Sequence, residues 1–468
     1  MTEKTIASQR IEFGDPSVGR SFRLHRQRGA FCQAGWCEQC RVNLTDGSIA
    51  LACMAEAKQS IRSSSLWKAW LARFGDRLPP WFYEHRLLRP KALRQFYLNN
   101  LRRMSAAPTL PMAAPALGGA WQRRRCGLLV VGGGLAGLEA ASAAIEAGDD
   151  VLLVEAEEFG GRARFQPGHR DELAALLARV PRDRLLARTL CAGFYGDGHQ
   201  ALLISPEGPV LLDFERLVVA TGAYDRLPGF LGNDMPGIIG LRGFERLVHA
   251  RAVPRGCKVG LFGHAREIEA ALATGHRFAW IAGPAAELPG TAATLCNTTL
   301  LAANGRRRVR TVLLDPGGER DCDLLVLGFS QPTYELSAQA GRLATLGGDP
   351  PTIAMTGPAR IEIKAVGDAA LAPVKAEQPA CRASPEAFLC LCEDVRRRDA
   401  TEAIADGYDD VELLKRRTGA GTGPCQGKLC HAEILSLLAA AGRPVALPTM
   451  RPLARPVPLA ALAGADHG

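Results

Sequence analysis

The sequence predicts a multidomain α/β protein, and three features of the chain lead to this prediction. Four cysteines near the start follow the spacing C-x4-C-x2-C-x12-C, and four near the end follow C-x-C-x32-C-x4-C. Between these sets, the apolar strand pattern Cys126–Val131 runs into a glycine-rich turn and a small-residue helix. A chain of 468 residues is too long for one core, so we expect several domains.

Composition indicates a globular protein of a reducing compartment. Hydrophobic residues make up 47% of the chain, as in ordinary soluble domains. Apolar runs are too short for a membrane-spanning helix, and the first residues lack the apolar core of a secretory signal. The 14 cysteines are clustered as metal ligands are, rather than spread as disulfide partners. We therefore expect a cytoplasmic protein.

The net charge of +9 comes from one segment. Between Arg86 and Arg125 there are nine basic residues and no acid, and Pro90–Met104 has apolar residues at helical spacing. This basic helix is predicted to lie in a linker, residues 71–120. It is either a solvated face over a local core or a docking surface for a partner, with peripheral contact to the inner face of a membrane as a further interpretation. The sequence contains no recognisable nucleic-acid module, so no nucleic-acid partner is expected.

The N-terminal cysteines are predicted to bind a 2Fe-2S cluster. Cys32, Cys37 and Cys40 belong to one tight loop and Cys53 to a later segment, which is the plant-type ferredoxin spacing. Structural zinc sites usually consist of two short pairs, so zinc is the weaker interpretation. We assign this ferredoxin-like domain to residues 9–70.

Two hairpins are predicted inside this domain. Arg10–Phe13 and Ser21–Leu24 are expected to pair around a Gly- and Pro-containing turn. Val42–Leu51 is expected to form the second hairpin, because Asp46 and Gly47 are typical of a tight turn.

The C-terminal cysteines form two close pairs, Cys390 with Cys392 and Cys425 with Cys430. This arrangement suits a second 2Fe-2S cluster, but tetrahedral zinc would fit equally well. A small helical domain is predicted for residues 385–442, followed by a Pro-rich extended tail, 443–468. The six remaining cysteines are expected to be buried small apolar residues; they are Cys126, Cys191, Cys257, Cys296, Cys322 and Cys381.

A dinucleotide site is predicted at the central glycine turn. Gly132, Gly134 and Gly137 form G-x-G-x-x-G between a strand and a helix, the arrangement that brings a helix N-terminus to a pyrophosphate. Glu155 ends the next strand, where an acid can bind the adenosine ribose.

Two further motifs favour FAD as the dinucleotide. Leu217–Gly222 and Lys364–Asp368 resemble the two signatures of the two-dinucleotide-domain flavoprotein family, which assigns residues 121–380 to an FAD-binding domain. The expected FAD contacts are Gly132, Gly134, Gly137, Glu155, Arg162, Ala220, Thr221, Gly222, Gly367 and Asp368.

In that family a second nucleotide unit lies between the two signatures, here at about 240–325. Its turn would begin at Gly263, but Ala265 and Ile268 stand where the next two glycines belong. A methyl group and a β-branched side chain both oppose close backbone approach. We therefore expect this nicotinamide-type unit to be degenerate.

The order of these parts resembles the large, alpha-type subunit of the heterotetrameric sarcosine oxidase group. It is more similar still to relatives in opine oxidase, D-hydroxyproline dehydrogenase and hydrogen cyanide synthase. Specific stretches are Gly229–Gly240, Gly423–Cys430 and Arg455–Ala463. The resemblance implies a two-dinucleotide-domain flavoprotein fold with an N-terminal β-grasp ferredoxin domain and a C-terminal BFD-like 2Fe-2S domain. The sarcosine enzymes bind NAD at the first glycine site, so NAD remains the alternative to FAD.

The resemblance also implies a partner. A D-amino-acid-oxidase-like FAD subunit would oxidise the CH-NH or CH-NH2 group of an opine, D-hydroxyproline, sarcosine or glycine-type substrate. This chain would receive the electrons and relay them through two 2Fe-2S clusters to an acceptor such as a quinone, and it would be inactive alone. No catalytic residue is predicted, because neither His264 nor His431 forms a legible acid-base pair. The alternatives are a stand-alone NAD(P)H-dependent reductase and, less favoured, a redox or iron sensor.

Overall fold

A computed structural model describes residues 4–21, 23–24, 26–61, 90, 92–93, 95–96, 120–195, 199–289, 294–340, 343–347, 352–356, 362–370, 380–443, 445–457 and 462. The chain divides into two compact units, each built from three segments. Unit 1 comprises Met1–Met112, Asp225–Phe329 and Glu377–Ala441. Unit 2 comprises Ala113–Tyr224, Ser330–Ala376 and Gly442–Gly468.

The α-helices of the described residues are α1 (Ile6–Glu12), α2 (Leu135–Glu146), α3 (Arg170–Arg179), α4 (Leu241–His249), α5 (Ala265–Leu272), α6 (Glu335–Gln339), α7 (Arg397–Ala405), α8 (Val411–Thr418) and α9 (His431–Ala440). Short 3-10 helices cover Gly161–Phe165, Pro167–His169, Arg182–Arg184 and Gly367–Ala370. None of these helices combines the length and apolar character that crossing a bilayer requires.

The strands are β1 (Ser17–Arg20), β2 (Gln27–Gly29), β3 (Arg41–Asn43), β4 (Ile49–Leu51), β5 (Gln122–Val131), β6 (Val151–Val154), β7 (Leu185–Leu186), β8 (Leu190–Tyr195), β9 (Gln200–Ser205), β10 (Gly208–Val219), β11 (Ala223–Asp225), β12 (Ile238–Gly240), β13 (Val259–Gly263), β14 (Trp280–Ala282), β15 (Thr294–Leu295), β16 (Thr299–Gly305), β17 (Val309–Asp315), β18 (Gly318–Asp321), β19 (Leu324–Gly328), β20 (Ser330–Pro332), β21 (Leu343–Gly347), β22 (Thr352–Thr356), β23 (Glu362–Ala365), β24 (Phe388–Cys390) and β25 (Val395–Arg396).

Unit 2 is organised around a seven-stranded sheet in the order β7-β6-β5-β10-β9-β8, with β23 paired to β10. The first four strands and β23 are parallel, whereas β8, β9 and β10 form an antiparallel extension. The parallel strands are buried on both faces where they are apolar, which includes all of β6 and the second half of β5, whereas Arg123, Arg124 and Arg125 in the first half of β5 are exposed. Leu129 and Val131 face one core, and Leu128 and Val130 face a second core with α2.

The central segment of unit 1 contains a second parallel sheet, in the order β12-β19-β13-β14-β15. Helices α4 and α5 supply Phe244, Leu247 and Ile268 to its core. Strands β16, β17 and β18 form a separate antiparallel sheet. This strand-helix alternation around a parallel sheet matches the predicted second nucleotide-type unit in position and type.

The N-terminal segment of unit 1 contains both hairpins, but the first differs from its prediction. Arg10–Phe13 is not a strand: it forms the end of α1, which begins with a capping box between Thr5 and Ser8. Ser21, Arg23 and Leu24 do not belong to a strand either: the Asp394 carboxylate accepts the backbone N–H groups of Arg23 and Leu24, at 3.0 Å each. The hairpin consists of β1 and β2 instead.

The second N-terminal hairpin forms as predicted. Strands β3 and β4 pair antiparallel, and Gly47 occupies the turn with φ +86°, a conformation that glycine adopts without steric cost. Val42, Leu44 and Ala52 pack into a small core that also contains Cys40 and Cys53. The cysteine loop is thus anchored by apolar burial on both of its sides.

The C-terminal segment of unit 1 is helical, as predicted. Strands β24 and β25 form a short hairpin, and helices α7, α8 and α9 follow. Asp410 caps α8 by accepting the backbone N–H of Leu413, and Gly419 ends that helix with φ +82°. Helix α9 begins directly after Cys430.

The tail of unit 2 is described for 445–457 and contains no helix or strand over that range. Gln339 donates to the carbonyl of Arg451 at 2.9 Å, and Ala454 donates to the carbonyl of Ala192 in β8. The extended conformation of the tail, which its proline content predicts, stays a prediction. The basic helix predicted for Pro90–Met104 lies almost entirely outside the described residues.

Candidate redox-cofactor sites

The structure brings the four N-terminal thiols together. Cys32, Cys37, Cys40 and Cys53 are each at most 4% exposed. Cys32 is within hydrogen-bonding reach of Cys37 and Cys53, and Cys53 also reaches Cys40. Burial opposes ionisation of Cys32, but hydrogen bonds from the neighbouring thiols outweigh it and hold the pKa of Cys32 well below its usual value.

The four C-terminal thiols are gathered in the same way. Cys390 is within hydrogen-bonding reach of Cys392 and Cys430, and Cys392 also reaches Cys425. Hydrogen bonds from Cys392 and Cys430 lower the pKa of Cys390 well below its usual value, against the effect of burial. Hydrogen bonds between the thiols thus lower the pKa of Cys32 in the first set and of both Cys390 and Cys425 in the second.

Each set suits an iron-sulfur cluster by its chemistry. A 2Fe-2S cluster takes four thiolates, two for each iron. Among the described residues, no group of three or more His, Cys, Asp or Glu side chains is arranged to hold a single metal ion. A 2Fe-2S cluster does not require such a group, because each of its irons takes two thiolates from the protein. Backbone N–H groups also point at these sulfurs: Ala34 donates to Cys32 Sγ at 3.4 Å. The assignment of all eight thiols as ligands stays a prediction.

The two thiol sets are neighbours within unit 1. The Gln39 side-chain amide, between Cys37 and Cys40 in sequence, donates to Cys392 Sγ at 3.2 Å. Arg28 donates from Nη2 to the carbonyl of Cys392 at 3.1 Å. The two loops that carry the predicted ligands are therefore in direct contact, although more than 350 residues separate them in the chain.

A buried ion pair fixes this contact. Arg26 Nε lies 2.6 Å from Asp394 Oδ1, and their side chains are 10% and 0% exposed. Arg26 also stacks over the Phe388 ring, with 4.6 Å between its guanidinium carbon and the ring centroid. Asn233 holds Phe388 from the other side, since its amide exchanges two hydrogen bonds with the Phe388 backbone. The resembling stretch Gly229–Gly240 thus contributes to holding the C-terminal cysteine module.

The central glycine turn in unit 2 has the geometry of a dinucleotide site. Gly132 has φ +108°, and a Cβ there would lie 2.3 Å from the carbonyl oxygen of Ala220. A Cβ on Gly137 would lie 1.9 Å from the carbonyl oxygen of Gly132. These two glycines permit the tight turn and the packing of helix on strand, and they bring the predicted contact Ala220 against the turn.

Gly134 differs from its neighbours because the protein itself has no need for a glycine there. Its φ of −72° is open to any residue, and no atom lies within 4 Å of where a Cβ would be. The space above Gly134, at the N-terminus of α2, is therefore available to a ligand group, and a helix N-terminus favours an anion. This is the fit expected for a pyrophosphate.

Three of the remaining predicted FAD contacts, Glu155, Thr221 and Gly367, lie next to this turn or to α2. Glu155 directly follows β6, and its carboxylate accepts the backbone N–H of Gly133 at 2.7 Å. Thr221 hydrogen-bonds with Thr333. The other predicted contacts, Gly222, Arg162 and Asp368, also belong to unit 2. Gly367 approaches α2 so closely that its Cβ would lie 2.7 Å from the Ala136 side chain.

One residue near this site was not predicted. Burial disfavours the charged guanidinium of Arg455, but attraction by Tyr224 and by carboxylates keeps the pKa of Arg455 above its usual value. Glu155 and Glu157 are among those carboxylates. In the sequence, Arg455 is marked only as the first residue of Arg455–Ala463, one of the stretches that resemble the sarcosine oxidase group. That resemblance does not indicate where the tail packs.

The second nucleotide-type turn, in unit 1, shares the closely packed first glycine of the first turn and differs from it at Ala265 and Ile268. A Cβ on Gly263 would lie 2.5 Å from the carbonyl oxygen of Gly328, so this glycine serves the contact between β13 and β19. Ile268 is fully buried. Glu267, in the first turn of α5, lies 3.6 Å from Arg242 with its side chain 4% exposed. A carboxylate thus already occupies the region of positive potential at this helix N-terminus.

His264 and His431 both pack against neighbouring residues. The His264 ring meets Phe329 edge-on, with 4.9 Å between the ring centroids. His431 is 3% exposed, and a Cβ on Gly427 would lie 2.0 Å from its ring. Burial lowers the pKa of His431 to about 4.

The prediction for the six other cysteines is partly confirmed. Cys126, Cys191 and Cys322 are buried, whereas Cys257, Cys296 and Cys381 are only half-buried by their accessible surface. Burial raises the pKa of Cys126 and of Cys191 to about 12. These thiols are neutral at physiological pH.

Three protein-family models match separate parts of the chain. A 2Fe-2S iron-sulfur cluster binding domain matches residues 2–65, an FAD binding domain matches 127–179, and a sarcosine oxidase A3 domain matches 384–466. The fold and these matches define an oxidoreductase of the flavoprotein class that carries an N-terminal 2Fe-2S domain. The match to an FAD binding domain thus supports FAD over NAD as the dinucleotide of this turn.

The relatives of the chain are named as subunits of oxidases or synthases. The alpha subunit of sarcosine oxidase from Rhizobium meliloti is 27% identical over 99% of this chain and 56% of its own length. The A subunit of opine oxidase from Agrobacterium tumefaciens is 36% identical over 18% of each chain. The HcnB subunit of hydrogen cyanide synthase from Pseudomonas aeruginosa is 44% identical over 10% of each. The chain spans about half the length of the first relative and less of the other two.

The solved structure of L-proline dehydrogenase from P. horikoshii superimposes with a TM-score of 0.70 at 17% identity, over 99% of this chain and 95% of that one. The predicted fold class is confirmed by this similarity together with the terminal domain matches. The chain is a homologue of the alpha subunit of sarcosine oxidase, and it is related to opine oxidase and hydrogen cyanide synthase subunits.

We predict that Gly134→Val abolishes flavin binding without unfolding the protein. A valine side chain would fill the space above the turn, so flavin absorbance per chain should fall by about tenfold or more. Because no protein atom is displaced, the free energy of unfolding of the flavin-free protein should change by less than about 0.5 kcal/mol.

Gly168→Val is the matched control, since Gly168 also has no atom within 4 Å of a Cβ position. Gly263→Val is unsuitable as a control, because its side chain would collide with the Gly328 backbone. Full flavin content in purified Gly134→Val would contradict the assignment of this turn.

Proposed function

We propose that this chain is the electron-transferring FAD and iron-sulfur component of a multi-subunit amine or imino acid dehydrogenase. The observation that carries the proposal is the contact between two complete, buried sets of four thiols in unit 1, through the Gln39 amide and Cys392 Sγ at 3.2 Å. An electron-transfer chain needs such proximity, whereas two independent structural metal sites do not. The FAD domain in unit 2 supplies the cofactor that links two-electron and one-electron chemistry.

The residues of this chain would bind and shield the cofactors. Gly132, Gly134 and Gly137 would admit the FAD pyrophosphate to the N-terminus of α2, and Glu155 would accept hydrogen bonds from the adenosine ribose. Cys32, Cys37, Cys40 and Cys53 would hold one 2Fe-2S cluster, and Cys390, Cys392, Cys425 and Cys430 the other. The thiols' low exposure would keep water away from both centres.

Substrate oxidation is assigned to a partner. His264 and His431 pack against neighbouring residues, and the second nucleotide-type turn has Ala265 and Ile268 in place of two of its glycines. The relatives named above are subunits, which supports a hetero-oligomer. The partner would be a D-amino-acid-oxidase-like flavoprotein that oxidises sarcosine, glycine, D-hydroxyproline or an opine. The acceptor would be a quinone or a similar carrier, and the complex would be cytoplasmic.

We predict two spectroscopically distinct 2Fe-2S centres. Anaerobically purified protein should contain about four iron atoms per chain, the sum of two such clusters. Cys37→Ser should remove one electron paramagnetic resonance (EPR) signal of the dithionite-reduced protein, and Cys425→Ser the other. The matched control is Cys191→Ser, which changes a buried thiol outside both sets. Zinc together with about half of the iron would instead assign the C-terminal set to a structural metal.

We predict that NADH does not reduce the isolated chain rapidly. In stopped-flow measurements the flavin absorbance should stay nearly constant with NADH alone, because Ala265 and Ile268 oppose close approach of a dinucleotide to the second turn. The flavin should bleach quickly when the co-purified partner is present and sarcosine, glycine, D-hydroxyproline or an opine is added. Rapid bleaching by NADH alone would overturn the proposal and favour a stand-alone reductase.

A further inference from the structure

We infer that the Gln39 side chain sets the reduction potential of the C-terminal cluster and couples it to the N-terminal one. This inference rests on the proposed function, since it requires a 2Fe-2S cluster on Cys390, Cys392, Cys425 and Cys430. It concerns a residue that is not itself a ligand and that acts through a hydrogen bond to a ligand.

The orientation of the Gln39 amide is determined by its surroundings. Its nitrogen Nε2 donates to the carbonyl oxygen of Cys37 and to Cys392 Sγ, each at 3.2 Å. A carbonyl oxygen only accepts hydrogen bonds, so it selects the amide nitrogen rather than the amide oxygen. With one N–H on the Cys37 carbonyl, the second N–H is available for the Cys392 sulfur.

Burial strengthens this hydrogen bond. Gln39 is 2% exposed and Cys392 is 7% exposed, so little bulk water competes for the sulfur. A cavity of about 20 Å³ lies beside Gln39 and is also lined by Arg28, Asn233 and Leu391. Gln39 Oε1 and Arg28 Nε are both buried without a protein partner, and a cavity of this size can hold one water molecule. Such a water would accept from Arg28 and donate to Gln39, which would hold the amide in place.

The sign of the effect follows from the charge. One-electron reduction adds a negative charge to the cluster and its thiolates, and an N–H donor stabilises the more negative state more strongly. The Gln39 hydrogen bond therefore raises the reduction potential of the C-terminal cluster. Hydrogen bonds to metal-bound ligands are a recognised means by which proteins tune such potentials.

Gln39 also connects the two ligand sets. It lies between Cys37 and Cys40 in the chain, so covalent bonds and a single 3.2 Å hydrogen bond join the N-terminal ligands to Cys392. With clusters on both ligand sets, this connection would offer one electron a path from the reduced to the oxidised cluster, with no bond broken and no proton transferred. Without the amide, the hydrogen bond between Gln39 and Cys392 would be missing from this path, and a gap through space would take its place.

The test is Gln39→Met, which keeps the length of the side chain and removes its donor. EPR-monitored redox titration should show the one-electron reduction equilibrium of the C-terminal cluster weakened by about tenfold, a shift of about 59 mV to lower potential. The potential of the N-terminal cluster should change much less. Gln33→Met is the matched control: Gln33 is also buried in the cysteine loop, but its amide donates to the carbonyl of Ala30 at 2.9 Å.

Unchanged potentials in Gln39→Met with both clusters assembled would overturn the inference and leave the proposed function standing. Equal shifts in Gln39→Met and Gln33→Met would overturn it as well, because they would indicate a general disturbance of the loop. If Gln39→Met fails to assemble its clusters, pulsed EPR of wild-type protein labelled with 15N in glutamine side chains decides. A 15N coupling to the reduced C-terminal cluster that persists in Gln426→Glu protein supports the inference, and its absence from wild-type protein or its loss in Gln426→Glu contradicts it. Failure of the proposed function would be distinguishable from failure of this inference, because wild-type protein would then show no EPR signal from a C-terminal cluster.

Discussion

The arrangement of unit 1 depends on the buried carboxylate of Asp394. It pairs with Arg26 at 2.6 Å and accepts the backbone N–H groups of Arg23 and Leu24 at 3.0 Å. These bonds join the segment before the first cysteine loop to the segment directly after Cys392. Removing one partner of such a buried pair typically costs about 3–5 kcal/mol, because the other charge stays buried. The contact between the two thiol sets is thus enforced by electrostatics as well as by apolar packing.

The two glycine turns show how similar sequence patterns serve different purposes. Gly132 and Gly263, the first glycine of each turn, are both pressed against a backbone carbonyl of a neighbouring segment, whereas the second glycine position holds Gly134 with open space above it in one turn and Ala265 in the other. The first helix N-terminus is available to an anion, and the second faces the protein's own Glu267. We propose that electrons therefore enter the chain from a partner rather than from a nicotinamide.

The sequence predicted the parts of this structure that depend on local spacing. The β3–β4 hairpin, the glycine turn, the N-terminal cysteine loop and each of the two C-terminal cysteine pairs are encoded by residues close to each other in the chain. The strand predicted at Arg10–Phe13 was wrong because the Thr5 cap and the spacing of Ala7 and Ile11 favour a helix. The partners of Asp394 and of Gln39 could not be predicted, because hydrogen bonds between segments more than 350 residues apart leave no periodic signal in a single sequence.

The central claim is that two iron-sulfur clusters lie side by side in one unit of an electron-relay protein. The most direct measurement is EPR of the fully reduced chain, compared with variants that hold one cluster each. Two paramagnetic centres bound to touching loops should interact magnetically, so the account predicts a wild-type spectrum with splitting or faster spin relaxation than the sum of the single-cluster spectra. A spectrum equal to that sum, or only one signal from iron-replete protein, would contradict the account.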